Sequence, residues 1–64
     1  MDPDANLKEQ RELSASILKD IFDGERPNTS DVDRLCELVQ AMDGWLSNGG
    51  FLPLGWSPQA GHNR

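Results

Sequence analysis

The 64-residue sequence predicts an all-α protein, an antiparallel two-helix hairpin with an apolar, extended C-terminal tail packed across it. Three observations carry that prediction. Two stretches repeat apolar side chains at the helical period, a short turn bearing Gly and Pro separates them, and an apolar run follows a Gly-Gly pair after the second stretch.

The first helix is expected over residues 6–23. Leu7, Leu13, Ile17, Leu18, Ile21 and Phe22 fall on one side of a helix that turns about 100° per residue. Two starts are open: Asn6 as cap with Glu9 three residues on, which makes a capping box, or Asp2 as cap with Pro3 at the first helical position. Gly24 supplies a left-handed stop, and Pro27 prevents the helix from resuming.

The second helix is expected over residues 30–47. A hydroxyl of Thr29 or Ser30 can cap it, and Asp31 and Asp33 set negative charge beside the positive end of its dipole. Its apolar members are Val32, Leu35, Cys36, Leu38, Val39, Met42, Trp45 and Leu46. They cover nearly half the helix circumference, more than one neighbouring helix can cover. Asn48, Gly49 and Gly50 tolerate the conformation that ends a helix. In the tail, Phe51, Leu52, Leu54 and Trp56 flank Pro53, which favours an extended run able to lie in a groove between the helices. Residues 57–64 are polar and aperiodic and are expected to be disordered, leaving 1–56 as the folded unit.

A short turn between two amphipathic helices makes them antiparallel neighbours. The expected register sets Phe22 near Val32, Leu7 near Leu46, and Leu18 beside Leu35 and Cys36. Ser14 then sits mid-seam beside Val39, its hydroxyl returning to the Gln10 carbonyl. Asp43 falls within the apolar arc of the second helix, where a carboxylate needs a partner. The same register puts Arg11 opposite it, so an Arg11–Asp43 ion pair is expected.

Composition narrows the function classes. Eleven acidic against six basic residues give a net charge of −5, the wrong sign for gripping a phosphate backbone. The second helix carries Arg34 as its sole base against Asp31, Asp33, Glu37 and Asp43, which opposes a DNA-reading helix-turn-helix. An acidic surface can imitate DNA, although −5 is modest for that use. Cys36 has no partner for an internal disulfide and His62 is the single histidine, so no metal site is expected. Glu9, Glu12, Asp20 and Asp23 are interleaved with Lys8 and Lys19 on an outer face, the pattern of a solvated surface. A two-helix hairpin cannot enclose the dry, concave site that would tune such carboxylates, so no catalytic residue, cofactor or small-molecule substrate is expected. Cys36 reads as a small buried hydrophobe. The start, Met1-Asp2-Pro3-Asp4, lacks the basic and apolar pattern of a signal peptide, and no apolar run of about 18 residues could span a membrane. A cytoplasmic protein with an unpaired cysteine is the expectation.

What remains is binding to protein. A chain this short buries only roughly 60% of the surface its unfolded form exposes and gains from a partner subunit. The candidate interaction surface comprises Leu38, Met42, Trp45, Phe51, Leu52 and Trp56; either tryptophan can serve as core or as an anchor for another chain. Self-association is the simplest use, two hairpins forming a four-helix bundle. The alternative is an effector that binds and modulates a bacterial host protein.

Two stretches, Asp4-Ala5-Asn6-Leu7-Lys8-Glu9-Gln10 and Asp43-Gly44-Trp45-Leu46-Ser47-Asn48-Gly49-Gly50-Phe51-Leu52-Pro53, resemble a group of short proteins encoded by bacteriophages and actinobacteria. The resemblance covers both helices and the tail but not the connection between them. It implies expression inside a bacterial cell from a phage genome, and it brings no activity and no functional residue with it.

Overall fold

The structure, a computed structural model, describes residues 1–56; the disorder expected for 57–64 lies outside the described residues. Helix α1 spans Pro3–Phe22 and helix α2 spans Thr29–Ser47. They pack against each other, and a 3₁₀ turn at Leu54–Trp56 contacts α1.

Asp2 caps α1. Its carboxylate accepts hydrogen bonds from the backbone N–H groups of Asp4 at 3.0 Å and Ala5 at 3.2 Å, and Pro3 takes the first position, where no N–H is needed. Asn6 is therefore free of capping duty. Asn28 rather than Thr29 or Ser30 caps α2, its side chain accepting from the Ser30 N–H at 2.8 Å. Both helices end in the same way. Gly24 and Gly49 take positive φ of 77° and 89°. The following N–H groups of Glu25 and Gly50 then reach back to the carbonyls of Asp20 and Trp45, both at 2.8 Å. Paired with the bonds Gly24 to Ile21 and Gly49 to Leu46, these are two Schellman motifs, which satisfy carbonyls a helix end would otherwise leave bare.

The seam is set by polar side chains. Asn6, buried, donates through Nδ2 to the Leu38 carbonyl at 3.0 Å, and its Oδ1 accepts from Gln10 Nε2 at 2.6 Å. One turn on, Glu9 and Arg34 form a two-pronged pair at 2.7 and 2.9 Å. The helices run antiparallel, but the register differs from the expected one. Phe22 lies sixteen residues beyond Asn6, whereas Leu38 lies only nine beyond Thr29. The arm of α1 past this contact is thus longer by seven residues, about 10 Å at 1.5 Å per residue. The connection over 23–28 is long enough to let α2 start partway back along α1.

Leu7, Leu38 and Met42 form the core, joined by buried Pro3, Asn6 and Pro53. All lie where the start of α1 meets the later part of α2 and the tail. At the other end Leu18, Ile21 and Phe22 remain exposed, and along α2 so do Val32 and Val39. The Arg11–Asp43 pair does not form: Arg11 is committed to the tail, and Asp43 is exposed with no ion pair among the described residues. Cys36 is exposed rather than buried, because the seam runs along Leu35, Leu38 and Met42 and leaves it to one side. Ser14 bonds back to the Arg11 carbonyl at 3.2 Å, one residue later than expected.

Candidate functional site

The tail reverses at Gly49 and Gly50 and is then fixed atom by atom. The Trp45 indole lies against Gly50 so closely that a Cβ there would run into the ring. Trp45 Nε1 donates to the Phe51 carbonyl at 2.9 Å, and the Phe51 ring meets the indole edge-on, with centroids 5.3 Å apart at 84°. Pro53 is fully buried. Asp4 Oδ1 accepts the Leu54 N–H at 2.6 Å, and Arg11 Nη2 donates to the Gly55 carbonyl at 3.3 Å. Gly55 sits where a Cβ would come within 3.0 Å of Leu7 Cδ2. A final bond from the Trp56 N–H to the Pro53 carbonyl at 3.0 Å closes the 3₁₀ turn.

These contacts hold the tail through its backbone, Pro53 and the Trp45–Phe51 pair, and leave much of its apolar surface outside. Leu54 is 78% exposed, Phe51 66%, Leu52 50% and Trp56 43%. Of the six candidate interface residues, Leu38 and Met42 are buried within the chain and present nothing to a second one. Trp45 is half-buried and engaged with the tail, whereas Phe51, Leu52 and Trp56 are presented. Leu54, the most exposed of the tail, was not among the candidates. Its signal was the local sequence Pro53-Leu54-Gly55-Trp56, where Pro followed by Gly two residues on favours a turn over an extended run. Asp4 and Arg11 as tail anchors, and Asn6 as a seam residue, were also missed: Arg11 read as the partner of Asp43 and Asn6 as a cap.

A second apolar surface lies beyond the tail. Residues 4, 7, 11, 18 and 22 follow one line along α1, close to 100° around from the side that faces α2. The tail covers Asp4, Leu7 and Arg11 on this line and stops short of Leu18 and Phe22. On α2, Val32, Cys36 and Val39 sit about the same angle from the seam, in the sense that turns them to the same face of an antiparallel pair. The Glu9–Arg34 pair occupies the opposite face. There the two-pronged hydrogen bond with Arg34 holds the Glu9 carboxyl below its ordinary pKa and raises that of Arg34.

An open hollow of 630 Å³ flanks the end of α2, between Met1, Gln40, Ala41, Trp45 and Asn48. No ionisable side chain lines it. Among the described residues no three His, Cys, Asp or Glu side chains gather as a metal would require, and no helix is long and apolar enough to cross a membrane. What this arrangement offers chemically is apolar surface on a fixed frame. Comparison with protein-family models, with curated proteins and with solved structures returns no match.

Proposed function

We propose that this chain is a non-enzymatic interaction protein that associates with a second copy of itself through its C-terminal knuckle of Phe51, Leu52, Leu54 and Trp56. The supporting observation is the contrast within the tail: a backbone tied down at Asp4, Arg11 and Trp45 carries large apolar side chains that face away from the core. An anchor held in place before binding gives up little conformational entropy on binding. Together the four side chains present on the order of 400 Å² per copy, so two copies bury on the order of 800 Å², the scale of a weak, concentration-dependent association. Charge permits it, since the helix beneath the knuckle carries Lys8 and Arg11 alongside Asp2 and Asp4.

The test is molar mass by light scattering, from low micromolar to millimolar protein. The parent should move from 7.1 kDa toward twice that mass, and Leu54→Ser should hold it at the monomer value with an unchanged helical spectrum. A parent that stays monomeric throughout would overturn the proposal. A second reading, an effector directed at a bacterial protein, is favoured by a different observation, the exposed apolar strip at the far end of the hairpin. No feature of the described surface favours imitation of DNA.

A further inference from the structure

We propose that the junction of Asn48 with Gly49 is a self-modification site, where the asparagine converts to aspartate and isoaspartate at a rate set by opening of the last turn of α2. Of the four asparagines in the chain, only Asn48 precedes a glycine. A side chain on the following residue hinders attack by that residue's backbone nitrogen on the asparagine amide. Gly49 has none, and no atom lies within 4 Å of where its Cβ would stand. Asn48 is also exposed, whereas Asn6 is buried against Leu38 and Asn28 is engaged in capping α2.

The reaction needs no partner but water. The Gly49 nitrogen bonds to Asn48 Cγ, the Cγ–Nδ2 bond breaks, and ammonia leaves with the proton that Gly49 gives up. Water then opens the cyclic imide. Addition at Cγ restores the main chain as aspartate; addition at the main-chain carbonyl leaves the chain running through Cγ as isoaspartate, one methylene longer. In the folded chain both reacting groups are engaged elsewhere. The Gly49 N–H donates to the Leu46 carbonyl at 3.1 Å and Asn48 Nδ2 to the Gly44 carbonyl at 2.7 Å, with Asn48 at φ −96° and ψ 17°. The Schellman motif is thus a gate, and attack waits until the helix end frays. The product does not close it again. Aspartate sets an oxygen against the Gly44 carbonyl in place of a donor, with negative charge at the negative end of the helix. Isoaspartate shifts the register of the bonds from Gly49 to Leu46 and from Gly50 to Trp45. Gly50 seats the Trp45 indole, so either product loosens the root of the tail. Any effect on self-association rests on the knuckle reading; the modification itself does not.

The experiment incubates the full chain at mildly alkaline pH beside a synthetic peptide of residues 44–53, too short for a stable helix. Mass spectrometry records the change of amide to acid, proteolytic mapping locates it, and chromatography separates the isomers. The chain should convert at Asn48 before Asn6 or Asn28, and at least about tenfold more slowly than the peptide. Gly50→Ala, whose Cβ strikes the Trp45 indole, should move the rate in the chain toward that of the peptide, yet change nothing when made in the peptide. Helical circular dichroism checks that the variant stays folded. Trp45→Phe, which removes the bond to the Phe51 carbonyl, repeats the test if it does not. The converted parent should keep most of its helix and show shifted tryptophan fluorescence. Equal rates in chain and peptide, first conversion at another asparagine, no conversion in the chain, or gate variants without effect overturn the proposal. All these readouts are independent of molar mass, so the proposal and the knuckle reading fail separately.

Discussion

Replacing Asn6 by aspartate changes one amide nitrogen to oxygen at almost constant volume, at the polar contact that fixes the helix register. In the parent, Nδ2 donates to the Leu38 carbonyl at 3.0 Å from a residue 8% exposed, and Oδ1 accepts from Gln10. Asn6→Asp keeps the second bond and turns the first into two oxygens facing each other. The lost hydrogen bond costs about 1 kcal/mol, and desolvating a carboxylate beside a carbonyl adds about 2 kcal/mol. A chain with so small a core has on the order of 3–6 kcal/mol of stability, so the substitution removes half of it or more. The pH dependence follows from the sign. The folded state disfavours the ionised carboxyl and raises its pKa, so the variant comes closest to the parent below the ordinary value of about 4, where the carboxyl is protonated and can donate to Leu38. That recovery is lost as pH rises through the raised value. Urea melts followed by helical circular dichroism, parent beside Asn6→Asp at about pH 3 and pH 7, measure the difference. A penalty that is the same at both pH values, or below about 1 kcal/mol at pH 7, would refute the assignment of Asn6 to the seam.

Four further outcomes follow from the geometry. Gly50→Ala should cost about 2–3 kcal/mol by displacing the Trp45 indole and breaking its bond to Phe51, and should shift the tryptophan fluorescence. Gly49→Ala, with nothing near its Cβ position, should cost about 1 kcal/mol from backbone conformation alone and leave the fluorescence unchanged. Trp56→Ala should cost about 1.5–2 kcal/mol in a thermal melt, below the ~3–5 kcal/mol of a buried aromatic, because the ring is nearly half exposed. Glu9, whose pKa is lowered by Arg34, contributes stability that is present above about pH 4.3 and lost as pH falls through its folded value. Glu9→Gln should therefore flatten the acid limb of a pH-melting series; an unaltered limb would show that the pair adds nothing.

The helices themselves were legible because their signals are local: apolar period, a proline at the first position, and glycines where φ must be positive. The register was not, because it depends on where polar side chains find partners across the seam. Asn6 carries as good a capping signature as Asp2, and nothing in its neighbourhood says that its amide meets a carbonyl thirty-two residues away. Taking the hairpin as tight from its closed end then misplaced Arg11 and Asp43. The width of the apolar arc on α2 was read correctly, but an arc cannot say which part faces α1. The structure gives that part to Leu35, Leu38 and Met42, and turns Val32, Cys36 and Val39 outward. The tail was read as apolar and folded back. Its backbone is, whereas the turn at Pro53 and Gly55 puts most of its side chains outside, a result of turn geometry that composition does not report.

The knuckle as a self-association surface is tested most directly by isotope-filtered NMR on a mixture of labelled and unlabelled protein, which records only contacts between different chains. The expected result is intermolecular contacts among Phe51, Leu52, Leu54 and Trp56, strengthening with concentration, and none at Leu18, Phe22 or Val39. Intermolecular contacts confined to Leu18, Phe22 and Val39, with the tail silent, would contradict it.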